Sequence, residues 1–432
     1  MVAEQMAFNS GVMICKDGKS MAIQLMNSTH FAELNKVSMI NVSDNGDLCF
    51  CGCCADEQNT TLHIFKPDGE IKRIPLPGVP YPMYSMPNAP TIINGFVYIT
   101  THSNPYSAEE VTHYIKADLQ GYIIWDWQIS GCPMDSVVTS TGSQFVLYCL
   151  NTPTNKYSCE LTLLSQYGEA LWTIRDKWIS RGGALILRSN DSVMVAKTQC
   201  KGNTMNASRI SQIIKINMSG KISKRINTLS KMTNYNVTGY LAKAVDTVKS
   251  ENWVFVPECL PYFFNNPDKG ADPEFLPTTM TVFNPMTGEL QQRNFRVGMV
   301  KASLWDDNSR ILYISSIVEG NAFARISFDS GKVDCYRYQQ QHPENKKYIF
   351  LTRPAEEIYH KLHCTPVKTQ NEDVIFCDST STLICMTPDW TERWSTTLSE
   401  GVYDMKIKDD NLYIIAYHQD NREAILYRLI IG

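Results

Sequence analysis

One pattern runs the length of the chain: a polar turn followed by a short apolar strand. It occurs as DNGDLCFCGCC (Asp44 to Cys54), INGFVYITT (Ile93 to Thr101), STGSQFVLYCL (Ser140 to Leu150) and SNDSVMVAKT (Ser189 to Thr198). It continues as KSENWVFVPE (Lys249 to Glu258), DDNSRILYISSI (Asp306 to Ile317), QNEDVIFCDS (Gln370 to Ser379) and KDDNLYIIAY (Lys408 to Tyr417). Asn, Asp, Gly and Ser tolerate turn geometry, whereas Val, Ile, Tyr and Phe suit buried strands. About eight copies spaced roughly 40 to 65 residues apart give the period of a propeller blade.

A second unit alternates with the first: a strand, a Gly-centred turn and another strand. Its copies include HIFKPDGEIKRI (His63 to Ile74), IKADLQGYIIWDW (Ile115 to Trp127) and LLSQYGEALWTI (Leu163 to Ile174), with later ones at IKINMSGKISKRI, VFNPMTGELQQRNF and ISFDSGKVDCYRY. A Gly-less version stands at CMTPDWTERWSTT. Glycine supplies the positive φ of the turn, and the flanks alternate apolar and polar as hairpin strands do. Short apolar stretches such as MDSVV, GALIL, VKASL and VYDMK precede each first unit. Each repeat thus reads as four antiparallel strands, A to D, which is one blade.

The expectation is an all-β chain forming one β-propeller domain over 1–432, with a β-sandwich or β-solenoid as the bland alternatives. Blades fall near 39–77, 89–129, 133–175, 182–227, 238–296, 298–338, 363–397 and 401–432. The count is eight, or seven if one unit is an insertion. The C-terminal repeat ends after a third strand, EAILYRLIIG, and a strand near 19–26 is expected to complete that blade and close the ring. Such pairing removes two open sheet edges. The GVMIC segment ahead of it would duplicate the C-terminal strand. The one helix expected is PAEEIYHKL (Pro354 to Leu362).

Composition narrows the function classes. Hydrophobic residues at 43% and charged residues at 19% suit a large core and argue against wholesale disorder. A net charge of -4 gives no support to a nucleic-acid partner. No run reaches the roughly 18 apolar residues of a membrane helix, so no membrane span is expected. The first residues lack a basic and then apolar leader, so the expected compartment is the cytoplasm, or the periplasm or exterior if a leader was removed. Most of the 14 cysteines sit in apolar strand-like runs, which favours buried thiols in a reducing compartment.

The segments ADLQGYIIWDW, SQYGEALWTI and TPDWTERWSTTLSEGVYDMKIKDDNLYIIAY resemble the quinoprotein-like (PQQ-repeat) propeller superfamily. The resemblance implies that Trp125, Trp172 and Trp394 dock between neighbouring blades. It spans most of the chain at the level of the repeat, and it speaks for fold rather than function. The superfamily includes quinone-dependent dehydrogenases, outer-membrane assembly scaffolds and arylsulfotransferases.

Its enzymatic members imply residues to look for. Dehydrogenases carry a vicinal cysteine pair over the cofactor, and Cys53-Cys54 is such a dipeptide. Here it ends a strand in which Cys49, Cys51 and Cys53 alternate onto one face, which reads as core. Sulfotransferase-like propellers present a catalytic His after the Trp strand, but the stretches after Trp127 and Trp172 contain none. His360 and His363, with neighbouring Cys364, form HKLHC, but two ligand-type residues three apart are common by chance and no further partner is visible. No phosphate loop, nucleophile elbow or zinc-protease motif is present in the sequence. No cofactor is therefore expected, and the chain reads as a binding or scaffolding module rather than an enzyme. A propeller enzyme with separated site residues, or sugar or peptide recognition in a central funnel, is the alternative.

The A–B and C–D turns are short and polar. The long connections are B–C or D–A, as at Gly78 to Pro90, Ser103 to Val111, Cys200 to Arg209, Cys259 to Pro277 and Gln339 to His363. Functional loops concentrate where length and irregularity do. These carry Tyr81, Met83, Tyr84, Met86, Tyr106, Tyr262, Phe263, Phe264 and Phe275, residue types used to contact a protein partner or small ligand. They either form that contact surface or fold down as a plug.

Overall fold

The computed structural model describes residues 23–31, 34–54, 60–80, 90–104, 107–150, 158–175, 184–189, 192–200, 208–227, 242–244, 253–257, 277–283, 289–296, 300–306, 308–316, 322–337, 364–377, 382–398, 400–418 and 423–431. Every regular element among them is a β-strand, and the strands pair antiparallel with their sequence neighbours. The chain forms two compact units, one of 47–260 and 280–292, the other of 1–46, 261–279 and 293–432.

In the first unit Leu48–Cys54, Thr60–Phe65 and Ile71–Leu76 pair in succession. Phe96–Ser103 and Val111–Asp118 follow, and the next strand, Ile123–Val138, runs 16 residues without a turn. Its 123–130 half pairs with Val111–Asp118, and its 131–138 half pairs with Gln144–Leu150. Gly131 is the pivot: its φ is 151°, and a Cβ there would lie 2.2 Å from the Cys149 carbonyl oxygen. Only glycine lets one strand end one four-stranded group and begin the next. Ser158–Leu164 and Ala170–Ile174 complete that second group, and Ala184–Ser189, Ser192–Cys200, Ser208–Asn217 and Ile222–Asn227 form the next sheet.

The cores of this unit come from apolar strand faces packed sheet on sheet. Cys49, Cys51, Leu62, Ile64 and Ile74 pack against Val97, Ile99 and Ile115. Phe145, Leu147, Leu161 and Leu163 likewise meet Val193, Ile214 and Ile216. Cys49, Cys51 and Cys53 are at most 2% exposed, as their alternation implies, and burial pushes the Cys49 thiol well above its usual value. Cys149 and Cys159, opposite each other on adjacent strands, form a disulfide.

The second unit contains the sheets Val300–Asp306, Ile311–Ser316, Ala322–Ser327, Val333–Arg337 and Val367–Lys368, Val374–Cys377, Thr382–Met386, Glu392–Thr397. Its last sheet runs Gly401–Lys408, Asn411–His418, Glu423–Ile431, with Ile23–Phe31 as fourth strand. That strand pairs antiparallel with the C-terminal one from Ile23↔Ile431 to Phe31↔Ala424. It lies further along the chain than 19–26; GVMIC and the Pro354 to Leu362 segment fall outside the described residues. The buried Asp404 carboxylate accepts the Ile40 amide at 3.0 Å and ties the N-terminal segment to this sheet.

A docking device recurs between successive sheets within each unit. The indole Nε1 of Trp125 donates to the Gln166 carbonyl at 3.1 Å, and that of Trp172 to the Met218 carbonyl at 2.7 Å. Each acceptor stands two residues before a turn glycine, Gly168 or Gly220, and a Cβ on either would meet the ring at 2.7 Å or 3.0 Å respectively. In the second unit Arg293 takes the tryptophan's place, donating to the Asp329 carbonyl at 2.7 Å ahead of Gly331. Trp394 is buried in one cluster with Val402 and Met405 of the following sheet.

Candidate functional site

Tyr81, Tyr84, Tyr106, Tyr262, Phe263, Phe264 and Phe275 all lie outside the described residues, as do Met83 and Met86. The strand ends from which the 81–89 and 105–106 segments depart are described, and they are densely tied. The Thr60 hydroxyl donates to the Gly78 carbonyl at 2.7 Å, and the Thr101 hydroxyl to the Pro77 carbonyl at 2.5 Å. Gly78 has φ of 72° and sits so near His102 that a Cβ would meet its carbonyl carbon at 2.7 Å. The departing backbone is thus fixed against the neighbouring strand.

A polar relay spans the same sheet end. His113 Nδ1 lies 3.0 Å from Asp126 Oδ2, and His113 Nε2 lies 3.1 Å from the Ser103 hydroxyl. A carboxylate only accepts, so Nδ1 carries a proton, and in the neutral ring Nε2 accepts from Ser103. Asp126 is oriented by a further bond from Gln128 Nε2 at 2.7 Å. Alongside, His102 Nε2 lies 2.8 Å from Glu110 Oε1, and the Glu110 carbonyl accepts the Gly131 amide at 3.2 Å. Burial, with a smaller contribution from neighbouring His113, pushes the His102 imidazole down to about 4.

Serine, histidine and aspartate in this order are the parts of an activated nucleophile. An attacking hydroxyl also needs open space for a carbonyl about 3 Å away. Here a Cβ placed on Gly78 would lie 2.8 Å from Ser103 Oγ, so main chain closes that approach, and His113 is itself buried. The relay acts as a tie across three strands and holds the B–C end rigid. The sequence reading missed it because histidines inside THS and VTHYI look like isolated polar residues until strand register brings them together.

The opposite, C–D end carries a feature the turns alone did not suggest. The large apolar side chains most exposed among the described residues are Tyr122 at 71%, Ile123 at 43%, Ile124 at 47%, Tyr167 at 73% and Leu171 at 55%. All belong to two successive C–D turns and the outer strands that follow them. No group of three or more metal-ligating side chains occurs among the described residues, and they contain no helix long and apolar enough to cross a membrane.

No protein-family model matches the chain, and no curated protein matches its sequence. Solved structures do match its fold, and those that match are β-propellers, of WD40 and BamB type. BamB from Moraxella catarrhalis is similar at 11% identity with a TM-score of 0.50, covering 94% of this chain and 97% of that one. Sqt1 from Saccharomyces cerevisiae is similar at 10% identity and 0.54, covering 92% and 97%. The C-terminal WD40 domain of Sif2 is similar at 8% identity and 0.51, covering 98% and 99%. The likeness carries the fold.

Proposed function

We propose that the chain is a non-catalytic binding or scaffolding propeller of the quinoprotein-like kind. Its eight four-stranded repeats would be closed by the pairing of Ile23–Phe31 with Glu423–Ile431, and a protein partner would be engaged on the long-loop side. The observation that carries the reading is the repeat fold itself, matched over nearly the whole chain by WD40-type propellers, a class that often mediates protein binding. The docking of Trp125 and Trp172 on turn glycines and the likeness to BamB support the superfamily. The ties around Gly78, Ser103 and His113 support the choice of face, because loops that bind must leave a rigid platform. Closure of the Ser103 approach by Gly78 speaks against a hydrolytic role there. Buried thiols such as Cys49 and Cys364 favour a reducing compartment, the cytoplasm, whereas the Cys149–Cys159 disulfide speaks for an oxidising one.

The test is affinity capture from native lysate read by mass spectrometry, repeated with Phe263→Ser/Phe264→Ser. Loss of on the order of 2 kcal/mol or more of binding is expected if these aromatics anchor the partner. Asp68→Ser and Asp410→Ser, on the other side, should leave binding intact. If those two changes abolish binding while the loop variant binds normally, the face is wrong; if the loop variant unfolds, the aromatics are a plug.

A further inference from the structure

Among the described side chains, the outer strands of four sheets carry charge: Lys72 and Arg73, Arg293, Asp334, and Glu392 and Arg393. Charges on an edge strand discourage another strand from pairing with it, since pairing would desolvate them. Two outer strands of the first unit lack this protection. The 123–130 half of Ile123–Val138 reads IIWDWQIS, and its one charge, Asp126, is held by His113. Ala170–Ile174 reads ALWTI and has none.

Both are open edges. Among the described residues, 123–130 pairs as a strand only with Val111–Asp118, and Ala170–Ile174 only with Ser158–Leu164. The two are joined into one surface at Trp125, whose ring rests on Gly168 in the turn that presents Tyr167. Tyr122, Ile123 and Ile124 flank that point on one side, Tyr167 and Leu171 on the other, and each is more than two-fifths exposed. An exposed apolar patch on a strand edge combines unpaired backbone groups with side-chain anchors.

We infer that 123–130 is a β-augmentation site: an extended, uncharged segment of a partner protein adds to it as a further strand, with apolar side chains on Tyr122, Ile124 and Tyr167. Charge selects the occupant. A segment bearing Lys or Glu opposite this strand would lose hydration without a compensating ion pair, whereas an uncharged one loses nothing. The charged edges impose the reverse condition; Ile23–Phe31 of the second unit is also an uncharged outer strand. This site is separate from the long-loop surface and does not depend on it.

The test uses the full chain and two capped, fluorescein-labelled peptides of equal length, one alternating Val and Thr, the other alternating Lys and Thr. Anisotropy should show binding of the Val/Thr peptide at least tenfold tighter than the Lys/Thr peptide. Ile124→Lys should weaken it at least tenfold, and Asp410→Ser should leave it unchanged. Tyr167→Lys, at an exposed turn tip, serves the same purpose should Ile124→Lys misfold. Hydrogen exchange should show new protection at 123–130 and none at 71–76. Equal binding of both peptides, or binding without protection at 123–130, overturns the proposal. Sedimentation supplies one more check: a dimer that Ile124→Lys dissociates would assign this edge to a second copy of the chain and overturn the partner segment.

Discussion

Lowering the pH from 7 to 5 should destabilise the protein through one buried imidazole, that of His63. The residue stands on Thr60–Phe65 opposite Phe50 on one strand and Arg73 on the other. Its ring stacks on Phe50 with centroids 4.9 Å apart and is only 5% exposed. Burial, then the Arg73 guanidinium, lowers its pKa from 6.5 to about 3. In the unfolded chain the imidazole takes up a proton as pH falls through its ordinary value, while the folded form does not. Between the two values the unfolded state binds more protons, so stability falls with falling pH. The loss is about 2 kcal/mol at pH 5 relative to pH 7. His102 is left out of this sum because Glu110 at 2.8 Å opposes the burial there. His63→Phe keeps an aromatic ring against Phe50 and cannot titrate. Urea unfolding at both pH values should therefore show a loss in the wild type larger by about 2 kcal/mol than in the variant. Equal losses in the two proteins, or an NMR titration of His63 near its ordinary value, would refute the reasoning.

Two further outcomes follow from the packing. Gly168→Ala forces a Cβ to within 2.7 Å of the Trp125 ring at a φ of 85°, so thermal unfolding should show a loss of roughly 1–3 kcal/mol; combination with Trp125→Ala should be less than additive, and strict additivity would deny the contact. Removing residues 1–31 deletes the strand paired with Glu423–Ile431, so light scattering should reveal aggregation through the bared edge; a monomer with unchanged melting temperature would deny that pairing.

The strands and their order were legible in the sequence because both signals are local. A turn of Asn, Asp, Gly or Ser and a following apolar run fix where a strand begins and which face is buried, so Cys49, Cys51 and Cys53 could be placed in a core before any pairing was known. The docking of Trp125 and Trp172 was anticipated too, as what the resemblance to the quinoprotein-like repeat implies. What the sequence could not show depends on partners far along the chain. Ser103, His113 and Asp126 meet only because register sets three strands side by side, and Gly131 becomes a pivot only where the Cys149 carbonyl approaches it. The exposure of Ile123 and Ile124 was hidden for a related reason. An apolar strand reads as core from its composition, and only its position at the edge of a sheet leaves those side chains in water.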